Sequence, residues 1–194
     1  MTATHPELGT PAATVRDATD ADIPAIHAIY AHEVLHGLAT FEEVPPPVDE
    51  LLARRQTVLD QGLPYLAAHL DGRLVGYSYA SAYRARPAYR NTLEDSIYVA
   101  HGMQGRGIGG TLLSALIKRC EMGPWRQMLA IAANGEQTGS IALHEKHGFR
   151  RVGHLEAVGF KHGRWLDTVL MQRALGVGSS TLPSHSSGAP PTSD

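Results

Sequence analysis

The sequence predicts a mixed α/β fold, in which helices cover both faces of a mostly antiparallel central sheet. Two apolar runs, 65–70 and 73–81, are joined by Asp71-Gly72, a strong signal for a β-hairpin and therefore for antiparallel pairing. Further along, a strand at 92–100 leads through a glycine-rich loop and a helix to an apolar strand at 126–133. Such a crossover requires a parallel pair. The predicted order is therefore β-α-α-β-β-β-loop-α-β-α-β-β.

The first half of the chain supplies a strand, two helices and the hairpin. Residues 14–18 are predicted as the first strand, and Thr19 and Asp22 then form an acidic variant of the capping box at a helix start. Apolar residues at helical spacing predict the helix that follows. They are Ile23, Ile26, Ile29, Tyr30, Val34 and Leu35. A second helix is predicted at 48–61, because Gly62 and Pro64 then act as stop signals.

The second half of the chain supplies two helices and the closing strands. Leucines and an isoleucine from 112 to 117 predict the helix after the glycine-rich loop. A further helix is predicted at 138–147, where Gly148 stops it. Residues 149–155 and 165–172 are predicted as the two closing strands, with a glycine-containing segment between them.

Composition predicts one domain with two flexible ends. We expect a flexible N-terminus at 1–13, a single domain at 14–175 and a disordered tail at 176–194, where 14 of 19 residues are Gly, Ser, Pro or Thr. The N-terminus lacks an apolar run, so no signal peptide is expected, and no stretch is long and apolar enough to predict a membrane span.

Charge and cysteine content exclude several classes of function. A net charge of −2 without a basic block argues against a nucleic-acid partner. The single cysteine, Cys120, excludes a disulfide scaffold or a cysteine zinc site, and it fits a reducing compartment, for which we expect the cytoplasm. His32 and His36 have i, i+4 spacing but no third ligand in a recognisable pattern, so no metal site is predicted.

The glycine-rich loop predicts an anion site. Gly105 to Gly110 lies between a strand and a helix, where backbone N–H groups and the positive end of the helix dipole favour a phosphate. The spacing of Gly105, Gly107 and Gly110 is also that of a dinucleotide fingerprint, but no repeating βαβ pattern surrounds it. No Gly-Lys-Ser/Thr follows, which excludes a P-loop. The loop alone does not identify its ligand.

Two motifs together resemble the GCN5-related N-acetyltransferase (GNAT) superfamily. Gln104-Gly105-Arg106-Gly107-Ile108-Gly109 is similar to its Q/R-x-x-G-x-G/A signature, and 141–149 is similar to its A-x-x-L-Y-E-K-x-G-F segment. The resemblance spans about 14–175 and implies the GNAT fold, with a splayed pair of parallel strands at the cofactor site. Residues 79–80, 84–89, Glu94 with 97–99, and 159–167 further resemble the phosphinothricin / methionine sulfoximine acetyltransferases, which acetylate the α-amino group of small amino-acid analogues.

The resemblance implies acetyl-CoA as co-substrate and names the residues that contact it. The glycine-rich loop would hold the pyrophosphate, the strand residues would pair with the pantetheine arm, and the Val99 N–H would stabilise the oxyanion. The implied cofactor contacts are Ile97, Tyr98, Val99, Gln104, Gly105, Arg106, Gly107, Ile108, Gly109, Gly110 and Gln137. Gln137 stands where the superfamily usually carries Asn, which puts that contact in doubt.

The resemblance also implies catalytic and substrate residues. Glu94 would be the general base; the alternative is an ion pair with Arg84, Arg86 or Arg90. His144 would act as an acid or a substrate contact, and an ordinary structural histidine is the other interpretation. Arg84 and Arg86 would bind the substrate anion unless they belong to a solvated loop.

Two further positions complete the implied substrate site. Tyr89 and Phe41 would wall the pocket, although Phe41 alone is equally well interpreted as a plug over the core. Glu42 stands where some phosphinothricin-type members carry Arg, which makes a second anion contact less assured.

Family members commonly form homodimers, so we expect one here. The alternatives are acetylation of a polyamine, an antibiotic or a protein N-terminus, and a non-catalytic acetyl-CoA-binding module.

Overall fold

The computed structural model describes residues 13–133 and 138–183. Seven strands and four helices follow one another in the predicted order. The strands are β1 (Thr14–Asp17), β2 (Tyr65–Leu70), β3 (Arg73–Ala82), β4 (Thr92–Val99), β5 (Gln127–Ala133), β6 (Arg150–Lys161) and β7 (Arg164–Ala174). The helices are α1 (Ile23–His36), α2 (Val48–Asp60), α3 (Ile108–Glu121) and α4 (Thr138–Lys146). The capping box between Thr19 and Asp22 is present.

The strands form one sheet in the order β1-β2-β3-β4-β5-β7-β6. Every neighbouring pair is antiparallel except β4 and β5, which run parallel as the crossover required. That parallel pairing covers only Thr92–Glu94 against Gln127–Leu129. Beyond Glu94 the two strands diverge, which confirms the expected splay and opens a gap in the middle of the sheet.

Helices lie on both faces of the sheet, as predicted. A side-chain carbon at Gly76 of β3 would lie about as close to Leu112 and Ile108 of α3 as packed atoms allow, so α3 covers that face. On the opposite face, the Tyr98 ring meets the Tyr30 ring of α1 edge-on at 5.3 Å. Leucines of α3 with no exposed surface form the centre of the core.

Two local predictions differ from the structure. Leu35 belongs to the predicted apolar stripe of α1 but is 49% exposed. At 100° per residue it points well away from the buried arc that ends at Val34. β6 also extends past the predicted end at 155 to Lys161, with an irregularity between Leu155 and Gly159. Pairing with β7 imposes the strand there, although the sequence does not alternate.

The predicted disordered tail begins inside the described residues. Residues 176–179 form turns, residues 180–181 form bends, and the Arg126 side chain donates a hydrogen bond to Thr181 Oγ1. Residues 184–194 and 1–12 lie outside the described residues. Among the helices of the described residues, none has the length and apolar character needed to cross a membrane.

Candidate active site

The gap between β4 and β5 opens into a cavity of about 760 Å³. Its walls come from both diverging strands, the glycine-rich loop with the first turn of α3, helix α4, and the segment 39–41 that follows α1. Most of the predicted site residues meet there. Those that line the cavity are Phe41, Glu94, Ile97, Tyr98, Val99, Gln104, Gly105, Gly107, Ile108, Gly109, Gly110 and His144.

The backbone of β4 presents unpaired groups to this cavity. Ala100 donates its N–H to the Val75 carbonyl at 2.9 Å, so the N–H of Ala100 points toward β3. Because neighbouring residues of a strand direct their N–H groups to opposite sides, Val99 and Ile97 turn theirs toward the gap. β5 pairs with β4 only as far as Glu94. These N–H groups therefore remain available to an extended, amide-rich ligand or to a developing oxyanion.

The glycine-rich loop presents a second set of donors. Gly105 and Gly107 have φ of 77° and 79°, in the left-handed region that favours glycine. Gly107 is also the N-cap of α3 and provides no side-chain cap. The first N–H groups of α3 consequently face the cavity at the positive end of the helix dipole, which suits a pyrophosphate. The donor set thus fits acetyl-CoA.

Glu94 and Asp95 lie on opposite faces of β4, because side chains alternate along a strand. Glu94 is half-buried, and burial, followed by the charge of Asp95, raises the pKa of its carboxyl. Within the described part of the chain, no ion pair joins Glu94 to Arg84, Arg86 or Arg90. A half-buried carboxyl with a raised pKa at a cavity wall has the properties of a general base.

His144 is buried and uses both of its ring nitrogens. Nε2 lies 3.0 Å from Asp95 Oδ2, and Nδ1 lies 2.7 Å from the Ser140 carbonyl oxygen. Burial lowers the pKa of His144, but the hydrogen bond and charge of Asp95 and the Ser140 carbonyl outweigh it, so the pKa is raised. His144 is therefore held in place by Asp95, a residue that sequence reasoning did not single out.

Lys161 fastens the segment 37–41 to the β6–β7 hairpin. Its ammonium donates to the carbonyl oxygens of Thr40 at 2.7 Å, Gly37 at 3.0 Å and Glu33 at 3.4 Å, and its side chain is almost fully buried. Burial lowers the pKa of Lys161, while nearby glutamates oppose that shift. The segment 159–167, which carries part of the family resemblance, thus positions the cavity wall through Lys161.

Phe41 lines the cavity and packs directly on the same hairpin. A side-chain carbon at Gly159 would lie 2.3 Å from the Phe41 ring, so only glycine leaves room for it. Beside it, the Tyr30 hydroxyl lies 3.1 Å from Thr40 Oγ1. Glu42, just beyond, receives a hydrogen bond from Arg54 at 2.6 Å. Its charge is therefore paired rather than directed into the cavity.

Four predicted site residues do not line the cavity. Arg84, Arg86 and Tyr89 lie on the exposed turn between β3 and β4, where the Arg84 guanidinium stacks over the rings of Tyr83 and Tyr89 at 4.9 and 5.6 Å. This aromatic contact holds the Arg84 side chain on the turn, outside the cavity lining. Arg106 is exposed on the glycine-rich loop. Gln137 lies outside the described residues.

Sequence reasoning missed several residues of the cavity wall. They are Tyr30, Thr40, Tyr79, Asp95, Met103, Leu143 and Ser140. Asp95 and Ser140 could have been found from their spacing. Asp95 follows Glu94 on the opposite face of a predicted strand, and Ser140 stands one helical turn before His144. Tyr79 belongs to the family resemblance, but it was given no role in the site. Tyr30 gave no signal, because an aromatic in a helix is ordinarily a core residue.

Comparison with known proteins agrees with this geometry. The model of the acetyltransferase (GNAT) domain family matches residues 15–170. The chain is 57% identical to phosphinothricin N-acetyltransferase of Alcaligenes faecalis over 177 residues, which cover 91% of this chain and 90% of that protein. It is 40% identical to the L-methionine sulfoximine/L-methionine sulfone acetyltransferase of Pseudomonas aeruginosa, with coverage of 82% and 93%.

A solved structure gives the same result. The phosphinothricin acetyltransferase from Sinorhizobium meliloti, in complex with acetyl-CoA, superposes with a TM-score of 0.87 at 48% identity and covers 90% of this chain and 94% of its own. The chain therefore belongs to the GNAT family of acetyltransferases.

Proposed function

We propose that this protein transfers the acetyl group of acetyl-CoA to the α-amino group of a small amino acid or analogue, such as phosphinothricin or methionine sulfoximine. The observation that carries the proposal is the position of Glu94, a half-buried carboxyl at the cavity wall where β4 and β5 diverge. The names of the relatives, which acetylate phosphinothricin and methionine sulfoximine, support this substrate class.

The position of each group in the cavity determines its role in the reaction. The first turn of α3, with Gln104 and Gly105, holds the pyrophosphate, and the open N–H groups of β4 hold the pantetheine arm. Acetyl-CoA supplies an activated acyl group as a thioester. Glu94 removes a proton from the ammonium group, since a free α-amine has a pKa near ~8 and is largely protonated at neutral pH. The Val99 N–H stabilises the oxyanion, a contribution of about 10²–10³ in rate.

An amine panel tests this function. The protein is mixed with acetyl-CoA and a thiol reagent, and methionine sulfoximine, phosphinothricin and spermidine are offered in turn. We expect thiol release with the two amino-acid analogues and little with spermidine. Release with spermidine alone would support the polyamine alternative, whereas release with none of the three would contradict the proposal.

We further propose that the positive charge for the substrate carboxylate comes from the rim. None of the described residues lining the cavity is a lysine or arginine. Arg84 and Arg86 lie on the turn that joins β3 to β4, the strand that carries Glu94. A substrate whose amine reaches Glu94 would extend its anionic groups toward this turn.

Arg84→Ala is therefore expected to raise KM for the amino acid about tenfold or more, in line with the loss of one charge-assisted hydrogen bond. The KM for acetyl-CoA should not change, because the glycine-rich loop is at the other end of the cavity wall. Steady-state kinetics with each substrate varied in turn checks this. Equal changes in both KM values would contradict the assignment, and Arg73→Ala, on an exposed hairpin end, is the control.

We propose that the chain forms a homodimer through the β6–β7 hairpin. β6 is an edge strand, and an unpaired edge readily accepts another strand or a second copy of itself. Large apolar side chains project from this hairpin into solvent, with exposures from 40% to 68%. They are Val152, Leu155, Val158, Phe160 and Trp165. Such a patch on a single chain marks an interface.

Trp165→Ser is expected to convert a dimer into a monomer. Light scattering on the unchanged chain should give twice the 20.9 kDa chain mass, and the variant should give the single mass. Met122→Ser is the control, since Met122 is 75% exposed but lies at the end of α3 away from the hairpin. A monomeric unchanged chain, or a variant that remains dimeric, would contradict this interface.

The biological setting is also a proposal. We propose a cytoplasmic location, which the single buried cysteine and the need for acetyl-CoA support. We propose that one role is resistance to a toxic amino-acid analogue, because acetylation removes the charge of the amine that such a compound shares with amino acids.

A further inference from the structure

Three polar side chains form a line along the cavity wall between β4 and α4. Asp95 Oδ2 lies 3.0 Å from His144 Nε2. On the other side of the ring, His144 Nδ1 lies 2.7 Å from the Ser140 carbonyl oxygen and 3.5 Å from Ser140 Oγ. Asp95 and His144 are 7% and 5% exposed, whereas Ser140 is half-buried. Ser140 is therefore the end of the line most open to a ligand.

The partners of His144 determine its protonation. A carbonyl oxygen only accepts, so Nδ1 carries a hydrogen, and a carboxylate only accepts, so Nε2 carries the other. The ring is thus an imidazolium, and neither N–H is free to point into the cavity. A direct proton transfer from His144 to a ligand would have to break one of these two contacts.

The surroundings of the pair favour this charge state. Asp95 Oδ1 is buried without a hydrogen-bond partner in the described residues, so the imidazolium is the main compensation for its charge. Cys120 of α3, near Asp95, is neutral, because burial, followed by the charge of Asp95, raises the pKa of its thiol to about 12. Glu94 faces the opposite side of β4, and the Phe149 ring meets His144 edge-on at 5.0 Å.

We propose, on the basis of the acetyltransferase function proposed above, that Ser140 protonates the leaving thiolate and that His144, positioned by Asp95, supplies the proton. The amine nitrogen forms its bond to the acyl carbon, and the C–S bond breaks with its electron pair on sulfur. The Ser140 hydroxyl proton passes to sulfur while the Nδ1 proton passes to Ser140 Oγ. Glu94 passes the first ammonium proton to solvent before the attack, then takes the second proton from the nitrogen as the amide forms and releases it to solvent as well. His144 becomes neutral and takes a new proton from solvent.

The geometry needs only a small change for this step. Nδ1 is within reach of both the carbonyl oxygen and the hydroxyl oxygen of the same serine, and the 3.5 Å distance between Nδ1 and Ser140 Oγ has only to shorten to about 3 Å. A thiol has a pKa near ~8.5 and a free histidine near ~6.5. Because the pKa of His144 is raised, it is closer to the pKa of the thiol, and similar pKa values of proton donor and acceptor suit a proton relay.

The test compares Ser140→Ala with a matched serine variant. We expect Ser140→Ala to lower kcat with acetyl-CoA about tenfold or more, with KM for acetyl-CoA nearly unchanged. The loss should largely disappear with a fluorinated CoA analogue whose thiol is more acidic, because that thiolate leaves without a proton. Ser114→Ala, in a half-buried position of α3, is the control and should keep the unchanged kcat. An equal loss of kcat with acetyl-CoA and with the fluorinated analogue, or no loss with either compound, would overturn the relay.

A second readout does not depend on turnover. Nuclear magnetic resonance of imidazole nitrogens should show that His144 stays charged at a higher pH than a free histidine does, and Asp95→Asn should move that titration to lower pH. A neutral His144 at pH 7 in the unchanged protein would overturn the relay. If instead no amine of the panel is acetylated but His144 is charged as expected, the proposed substrates fail and the charge state of the relay stands.

Discussion

Glu94→Gln is expected to lower kcat at neutral pH by about 10²–10⁴, the usual contribution of a general base. The glutamine is isosteric and keeps the cavity wall, so the KM for acetyl-CoA should stay the same. Turnover should recover partly as the pH rises past ~8, because the free amine then loses its proton without help. A full pH–rate profile of the variant measures this, and an unchanged rate at pH 7 would remove Glu94 as the base.

The same substitution should make the protein more stable at neutral pH. Burial raises the pKa of Glu94, so in the window between the unfolded and folded pKa values the folded chain binds the proton more tightly than the unfolded chain. Stability therefore falls as the pH rises through that window, and the ionised carboxylate is a cost at pH 7. Glutamine does not ionise and avoids that cost.

Thermal unfolding at pH 4 and pH 7 measures this second effect. We expect Glu94→Gln to raise Tm at pH 7 and to leave it nearly unchanged at pH 4, where the carboxyl of the unchanged protein is also largely neutral. Asp49→Asn, at an exposed position in the first turn of α2, is the control for a lost carboxylate. A lower Tm of the Glu94 variant at pH 7 would show that the carboxylate is stabilising.

Lys161→Met is expected to have the largest effect on the substrate side of the cavity. The methionine fills a similar volume but donates no hydrogen bond, so the carbonyl groups of Gly37 and Thr40 lose their shared partner. Leaving buried polar groups unpaired costs on the order of 1–3 kcal/mol. In a domain of this size, roughly 2–4 °C of Tm is lost per kcal/mol.

The segment 37–41 should also lose its fixed position, since Lys161 ties it to the β6–β7 hairpin. Phe41 and Thr40 then no longer hold the pocket wall, and we expect KM for the amino acid to rise while KM for acetyl-CoA stays constant. Lys118→Met, on the exposed face of α3, is the control. If both KM values rise together, the effect of the substitution is general unfolding rather than a displaced wall.

The sequence by itself determined the order of the elements, the parallel crossover and the anion site of the glycine-rich loop. These features depend on local chemistry, which a sequence displays directly. Asp71-Gly72 turns the chain into a hairpin, and apolar spacing after Gly107 predicts α3. Alternation along β4 also places Glu94 and Asp95 on opposite faces. The resemblance to a known family added acetyl-CoA and the general base to that framework as expectations.

Only the tertiary structure decided which residues share the cavity. Lys161 stands more than a hundred residues from the carbonyl groups that it binds, and Asp95 meets His144 across 49 residues. No local pattern encodes such contacts, because they depend on how the splayed sheet and the β6–β7 hairpin pack around the gap. The same packing leaves Arg84 and Arg86 outside the cavity lining. The chemical groups of the site come from two local segments, β4 and the glycine-rich loop, and can be found in the sequence. The shape of the substrate pocket depends on long-range packing.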